Sequence, residues 1–144
     1  MDEPLELDSP YALGIEAGEK AESAESASGA GEWILTTAPL WPALLADLRA
    51  GVDKAQIAAR FHAAVAAGFV RAAVLARSGC GISIVALSGG CLHNRRLAHL
   101  LRAGLEAEGF TVLAHRRASP GDGGLSYGQA AVAAARWRQE TDRK

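Results

Sequence analysis

The chain has 144 residues, enough for one domain with a core but not two. Its formal charge of −1 and pI near 6.4 give no basic footprint for nucleic acid or an anionic membrane. Apolar residues make up 49% of it, much of that alanine, so a small-residue, helix-rich core is expected.

The first segment, Met1–Glu32, is the poorest in structural signal. Glu19–Gly31 (EKAESAESASGAG) holds no large apolar residue and cannot bury enough surface to offset its ordering entropy, so 1–32 is expected to be a disordered linker. Nothing in Met1–Gly18 reads as a complete element, so the chain is expected to begin inside a domain. The acidic, polar opening has no basic n-region or apolar h-region. No apolar run comes near the roughly 20 residues of a membrane span. The two cysteines, Cys80 and Cys91, are too few for a disulfide framework. The expected location is the cytoplasm, with no membrane or nucleic-acid partner.

Trp33–Thr37 (WILTT) is β-like and short. Pro42 suits the first turn of a helix, with Leu44, Leu45 and Leu48 as its apolar face and an end near Gly51. Asp53 is a candidate N-cap with Gln56 three residues on, as in a capping box. Ile57, Phe61, Val65, Phe69 and Ala72 then form one stripe. That periodicity predicts a long helix ending near Arg77, at Ser78-Gly79. Gly68 inside it marks a close approach of another helix. Gly81–Leu87 has the nearly continuous apolar pattern of a buried central parallel strand. A helix over Asn94–Glu108 presents Leu97, Leu100, Leu101 and Leu105, with Gly109 as its stop. Phe110–His115 is the next strand. A strand–helix–strand of this length is a right-handed crossover, so the two strands are expected to be parallel. Leu125–Gln139 is the last helix, with Gly124, Gly128, Ala131 and Ala135 spaced to pack on the sheet. The charged tail Glu140–Lys144 is expected to fray.

Two glycine turns follow the two strands: Ser88-Gly89-Gly90 and Ser119-Pro120-Gly121-Asp122-Gly123-Gly124. Ligands of open α/β sheets bind outside the carboxyl ends of strands. Gly89 and Gly90 lack a Cβ, so they suit either a tight turn or the close approach of a phosphate to the backbone. Asn94 suits either a helix cap or a ligand contact. Asp122 suits either a cap or a metal ligand beside a nucleotide. Arg95 and Arg96 oppose the macrodipole at a helix start unless an anion offsets them. His62 reads as a core-edge histidine. His93, His99 and His115 have no HxxxH or HExxH spacing. Ser88 lacks the GxSxG elbow.

Taken in order, IAARFHAAVA (Ile57–Ala66), VALSGGCLHNRRL (Val85–Leu97), the Gly109–Val112 strand and SPGDGGLSYGQAAVA (Ser119–Ala133) resemble the C-terminal end of HypF-type carbamoyltransferases. These are the maturation proteins of nickel–iron hydrogenases. The resemblance covers about Trp33–Trp137. It implies an α/β fold: part of an actin-like/RNase-H-like ATPase lobe, similar to threonylcarbamoyladenosine synthases, with a short, mainly parallel sheet flanked by helices. It places that incomplete lobe at 33–144. By motif match it implies that Ser88, Gly89, Gly90 and Asn94 contact nucleotide, that Gly123 and Gly124 shape its wall, and that Asp122 is a metal ligand. His93 and Gly121 depart mildly from the family's pattern.

In such enzymes carbamoyl phosphate and ATP give carbamoyl adenylate, and the carbamoyl group passes to the C-terminal cysteine of a partner maturation protein. The resemblance therefore implies ATP as substrate and a divalent metal ion of zinc, iron or magnesium type. The family's metal histidines, acylphosphatase-like domain, zinc-finger-like segment and other ATPase lobe all lie upstream of what matches here. The chain is thus expected to be one wall of a site, inactive without the missing N-terminal lobe: a split-gene half, a truncation, a decayed remnant, or a non-catalytic nucleotide- or partner-binding module.

Overall fold

A computed structural model describes residues 11–18 and 33–141. The expected mobile segment 19–31 and the end of the charged tail, 142–144, lie outside the described residues. Among the described residues, four short strands and four α-helices form two sub-assemblies joined by the long second helix. Strand β1 (Gly14–Ala17) pairs antiparallel with β2 (Trp33–Thr36), Gly14 opposite Thr36 and Ala17 opposite Trp33. Strand β1 was not expected. Its four residues are too few for a period-two pattern to stand out, and the apolar residues just before it do the packing. Tyr11 and Leu13 are buried with Leu40 and Ala64.

Helix α1 (Leu40–Arg49) has Pro42 in its first turn and ends at Ala50, with Gly51 at positive φ. Its buried face is Leu40, with Ala43 and Leu44 packed alongside. The expected face of Leu44, Leu45 and Leu48 is therefore rotated: Leu45 and Leu48 are exposed. Helix α2 (Lys54–Cys80) starts as expected, the Asp53 carboxylate accepting from the amides of Ala55 and Gln56. It runs past Gly79 to Gly81, whose φ of 71° permits the left-handed stop. Inside a helix a glycine costs only about 1 kcal/mol, so Gly79 weakens α2 without ending it. Gly68 meets the Leu13 side chain, 3.0 Å from where a Cβ would sit. The close approach there is by the segment before β1, not by a helix. By length and composition α2 is also apolar enough to cross a membrane, contrary to expectation, because its alanines count as apolar. Ile57, Ala64, Ala66 and Gly68 on it are buried within the chain.

Strand β3 (Ile84–Leu87), helix α3 (Arg95–Ala107) and strand β4 (Thr111–Ala114) form the expected crossover. The strands are parallel, in register from Ile84–Thr111 to Leu87–Ala114. Leu100, Leu101 and Leu105 of α3 are buried. Ala66 of α2 joins Leu100 and Leu101 in a cluster that Leu87, Leu92 and Leu97 cover. Gly109 turns the chain at φ 79°, and Arg77 closes the end, stacking 4.2 Å over the Phe110 ring and donating to the Glu108 carbonyl.

Two expectations about this sheet fail together. Ile82 and Ile84 are 59% and 58% exposed, so β3 is not a covered central strand. Val85, Leu87 and Val112 are half-buried, while Ile84, Ala86, Thr111 and Leu113 are exposed. Helix α4 (Leu125–Thr141), expected to pack on the sheet, is exposed along its length and touches chiefly the turn before it. The apolar pattern recorded a demand for burial that the described residues leave unmet on that face.

Candidate functional site

The parallel register places Leu87 beside Ala114, so the chain leaves both strands at one edge. Ser88 and Gly89 lead into a 3₁₀ turn, Gly90–His93, and then α3. Beyond β4 the loop 115–121 leads into a second 3₁₀ turn, Asp122–Gly124, and then α4.

The two turns are bonded to each other. Gly89 N–H donates to the Pro120 carbonyl at 2.7 Å, and the Ser88 hydroxyl donates to the same oxygen at 3.2 Å. With its proton used there, Ser88 Oγ accepts from His115 Nε2 at 3.2 Å. Ser119 Oγ accepts from Gly121 N–H at 3.2 Å and shares a 3.3 Å hydrogen bond with His93 Nε2. Two glycines are required for this fit. Gly89 has φ 111° and ψ 155°, a region essentially closed to other residues. A Cβ on Gly124 would lie 2.4 Å from the Ser119 carbonyl oxygen. Gly121 is tightly faced, with His93 Nε2 3.0 Å and Gly90 Cα 3.3 Å from a notional Cβ.

A cleft of about 640 Å³ opens between this edge and α4, lined by Ser88, His115, Ser119, Gly124, Gln129 and Arg136 among others. Of the sequence-assigned residues, Ser88 and Gly124 line it, while Gly89 and Gly90 form the turn behind. Gly123 packs near Ser119. Asn94 caps α3, its Oδ1 accepting from Leu97 N–H at 3.1 Å, and its Nδ2 lies 2.7 Å from His62 Nε2. Asp122 opens its 3₁₀ turn and is exposed, with Gly121 in the N-cap position before it. Arg95 and Arg96 are exposed at the start of α3, where the first amides of a helix have no partner within it. Arg136 brings a positive charge to the cleft lining, which suits it to an anion.

Sequence reasoning named His115 and Ser119 without assigning either to the site, and passed over Arg136. His115 was findable: it is the residue directly after β4, at the strand end where ligands collect. Ser119 stood in the second glycine turn, and Arg136 had no comparable signal.

The chain matches the family model described as carbamoyltransferase, Kae1-like domain, second subdomain, over residues 5–129. It is 46% identical over 90 residues to a carbamoyltransferase HypF homolog of Cupriavidus necator, an alignment covering 62% of this chain and 23% of that protein. It is 39% identical over 89 residues to carbamoyltransferase HypF of Rhodobacter capsulatus, covering 62% of this chain and 12% of that one. A solved structure, described as full-length HypF in the phosphate- and nucleotide-bound form, matches with a TM-score of 0.70 and 28% identity, over 85% of this chain and 15% of that one. The chain therefore spans under a quarter of the length of each of these. The family match begins at residue 5, so the segment holding β1 belongs to it and the resemblance is not confined to Trp33–Trp137. With fold and match in agreement, the chain belongs to the HypF-type carbamoyltransferase family, as the second subdomain of its Kae1-like domain.

Proposed function

We propose that this chain forms one wall of the nucleotide site of a HypF-type carbamoyltransferase, and that it works only when joined to the rest of that enzyme. The observation that carries the reading is the bonded pair of glycine turns, Gly89 N–H on the Pro120 carbonyl, at the carboxyl edge of two parallel strands. In this reading ATP lies against the edge, with the α3 start and Arg136 facing its phosphates. Ser88, Gly89, Gly90 and Asn94 form one side, and Gly123 and Gly124 the other. The complete enzyme takes carbamoyl phosphate and ATP and carbamoylates the C-terminal cysteine of a hydrogenase maturation partner, in the cytoplasm.

The residues here do not by themselves fit a metal. Asp122 is a lone carboxylate, and no three His, Cys, Asp or Glu side chains converge among the described residues. A zinc, iron or magnesium site needs several ligands. If Asp122 is one of them, the others come from the rest of the enzyme.

The test is to mix this chain with a separately expressed N-terminal portion of a HypF-type carbamoyltransferase. The expected result is carbamoyl-phosphate-dependent cleavage of ATP to AMP and pyrophosphate that neither part gives alone. Its absence under every pairing overturns the reading. A second reading is a non-catalytic binding module, favoured by the exposed apolar sheet face of Ile82, Ile84 and Leu113. ATP titrated calorimetrically into the chain alone separates them: affinity without any partner favours the module.

A further inference from the structure

We infer that His62, on a different helix from either glycine turn, is a positioning residue that sets the orientation of Asn94 at the nucleotide edge. The assignment rests on the functional reading above for its purpose, but its geometry stands independently.

The argument is one of donors and acceptors. His62 Nδ1 lies 2.7 Å from the carbonyl oxygen of Ala58, one helical turn back on α2. A carbonyl only accepts, so Nδ1 carries the proton. In the neutral ring Nε2 is then an acceptor. The group facing it at 2.7 Å is Asn94 Nδ2, a donor. At its other end, Asn94 Oδ1 accepts from Leu97 N–H at 3.1 Å. Exchanging the oxygen and nitrogen of Asn94 would set a donor against the Leu97 amide and an acceptor against Nε2, losing both bonds. The histidine tautomer and the amide orientation are thus fixed from opposite ends of one relay: Ala58 carbonyl, His62, Asn94, Leu97 amide.

Phe61 supports the ring from the side, edge-on with centroids 5.9 Å apart. Helix α2 packs more extensively on α3 than on any other element, so the relay starts on a rigid support. Its far end is the first turn of α3, directly after the Gly90–His93 turn. His62 therefore does not touch the cleft; it acts through Asn94. An asparagine caps a helix through its own oxygen, and the bond to His62 strengthens that cap by excluding the other amide orientation. What His62 adds is a fixed direction for the Nδ2 group and hence for the chain between Gly90 and Arg95.

The test uses the full chain and two readouts. In the ¹⁵N spectrum of the imidazoles, His62 is expected to show a protonated Nδ1 and an unprotonated Nε2. Asn94→Asp keeps a good cap but replaces the donor with an acceptor, so the hydrogen bond to Nε2 is lost and the Nε2 resonance of His62 is expected to move from its position in the parent chain. His62→Ala is expected to speed hydrogen exchange of the Leu97 amide about fivefold, the scale of one neutral hydrogen bond. His62→Gln, whose amide oxygen can accept from Nδ2, restores it. A protonated Nε2 in the parent chain, or Leu97 exchange unchanged in His62→Ala, overturns the inference. ATP affinity is measured on the parent chain, His62→Ala and His62→Gln, alone and with the N-terminal portion. A drop in His62→Ala that His62→Gln reverses supports the positioning role. Equal affinity across the three overturns it. If the parent binds no ATP in either setting, the nucleotide reading fails, while the ¹⁵N and exchange results still decide the relay.

Discussion

Gly89 reaches the Pro120 carbonyl through its backbone N–H at 2.7 Å while holding φ at 111°. The contact that joins the two turns therefore depends on a conformation only glycine adopts readily. Gly89→Ala has space for its methyl, since nothing lies within 4 Å, so its cost is backbone strain of about 1–3 kcal/mol. Gly90 is equally open and lies outside the positive-φ set, so Gly90→Ala should change stability by well under about 1 kcal/mol. Urea unfolding of the two variants beside the parent checks this. Equal effects would show that the strain at Gly89 is not what holds the edge.

Tyr11, Asp47 and Arg60 tie the segment before β1 to α1 and α2. The Tyr11 hydroxyl donates to Asp47 Oδ2 at 2.5 Å, and Arg60 Nη1 donates to the same oxygen at 2.7 Å. The Tyr11 hydrogen bond first, then that from Arg60 and its charge, hold the Asp47 carboxyl below its usual 3.8. The folded value lies below the unfolded one. The stabilisation is therefore fully present above about pH 4 and is lost as pH falls through the folded value. Burial, with Asp47 second, raises the Tyr11 phenol above its usual 10.0, so its share is present below pH 10 and lost as pH rises through the folded value. Asp47→Asn should weaken the chain near neutrality and flatten the acid limb. Urea midpoints of parent and variant from pH 7 to pH 2.5 check it; parallel curves would remove Asp47 from the account.

The crossover unit was legible because its signals are local and agree. Leu97, Leu100, Leu101 and Leu105 share one helical face, Gly109 ends it, and the helical crossover between the strands fixes them as parallel. The Asp53 cap was legible for the same reason. Strand β1 was not, because its stability comes from Tyr11 and Leu13 packing on Leu40 and Ala64, far along the chain. Ile82 and Ile84 misled in another way: apolar pattern records that a residue suits burial, not which polypeptide covers it. The His62–Asn94 bond spans 32 positions and leaves no periodic trace. At the edge, residue types marked the two turns, but their direct bonding through Pro120 needed coordinates.

The open sheet face has a measurable consequence. Ile84 and Leu113, on opposite strands of the exposed face, are 58% and 54% exposed, with Ile82 continuing the patch. Contiguous apolar surface of this kind drives association. The chain alone should self-associate with rising concentration, and Ile84→Lys with Leu113→Lys should reduce this without loss of helicity, since both sites are solvent-facing. Sedimentation velocity over a concentration series, with circular dichroism alongside, is the check. A parent chain that stays monomeric throughout would show that the patch is too small to act.

Helices α2 and α3 approach closely where Gly104 meets Val70. A Cβ on Gly104 would lie 2.8 Å from Val70 Cγ2, closer than real contacts allow, and a β-branched valine has little rotamer freedom in a helix with which to withdraw. Gly104→Ala thus combines two opposed effects. Alanine is favoured over glycine within a helix by about 1 kcal/mol, while overpacking costs about 1–3 kcal/mol. The single variant should be neutral to destabilised. Val70→Ala removes the clashing methyl and loses some packing of its own. In that background Gly104→Ala should become stabilising, because only the propensity gain remains. The coupling between the two sites, read from urea unfolding of the four proteins of the cycle, should be about 1–3 kcal/mol in favour of the double variant. Additivity within about 0.5 kcal/mol, as for independent sites, would mean the helices shift apart to admit the methyl, and that Val70 does not set their separation.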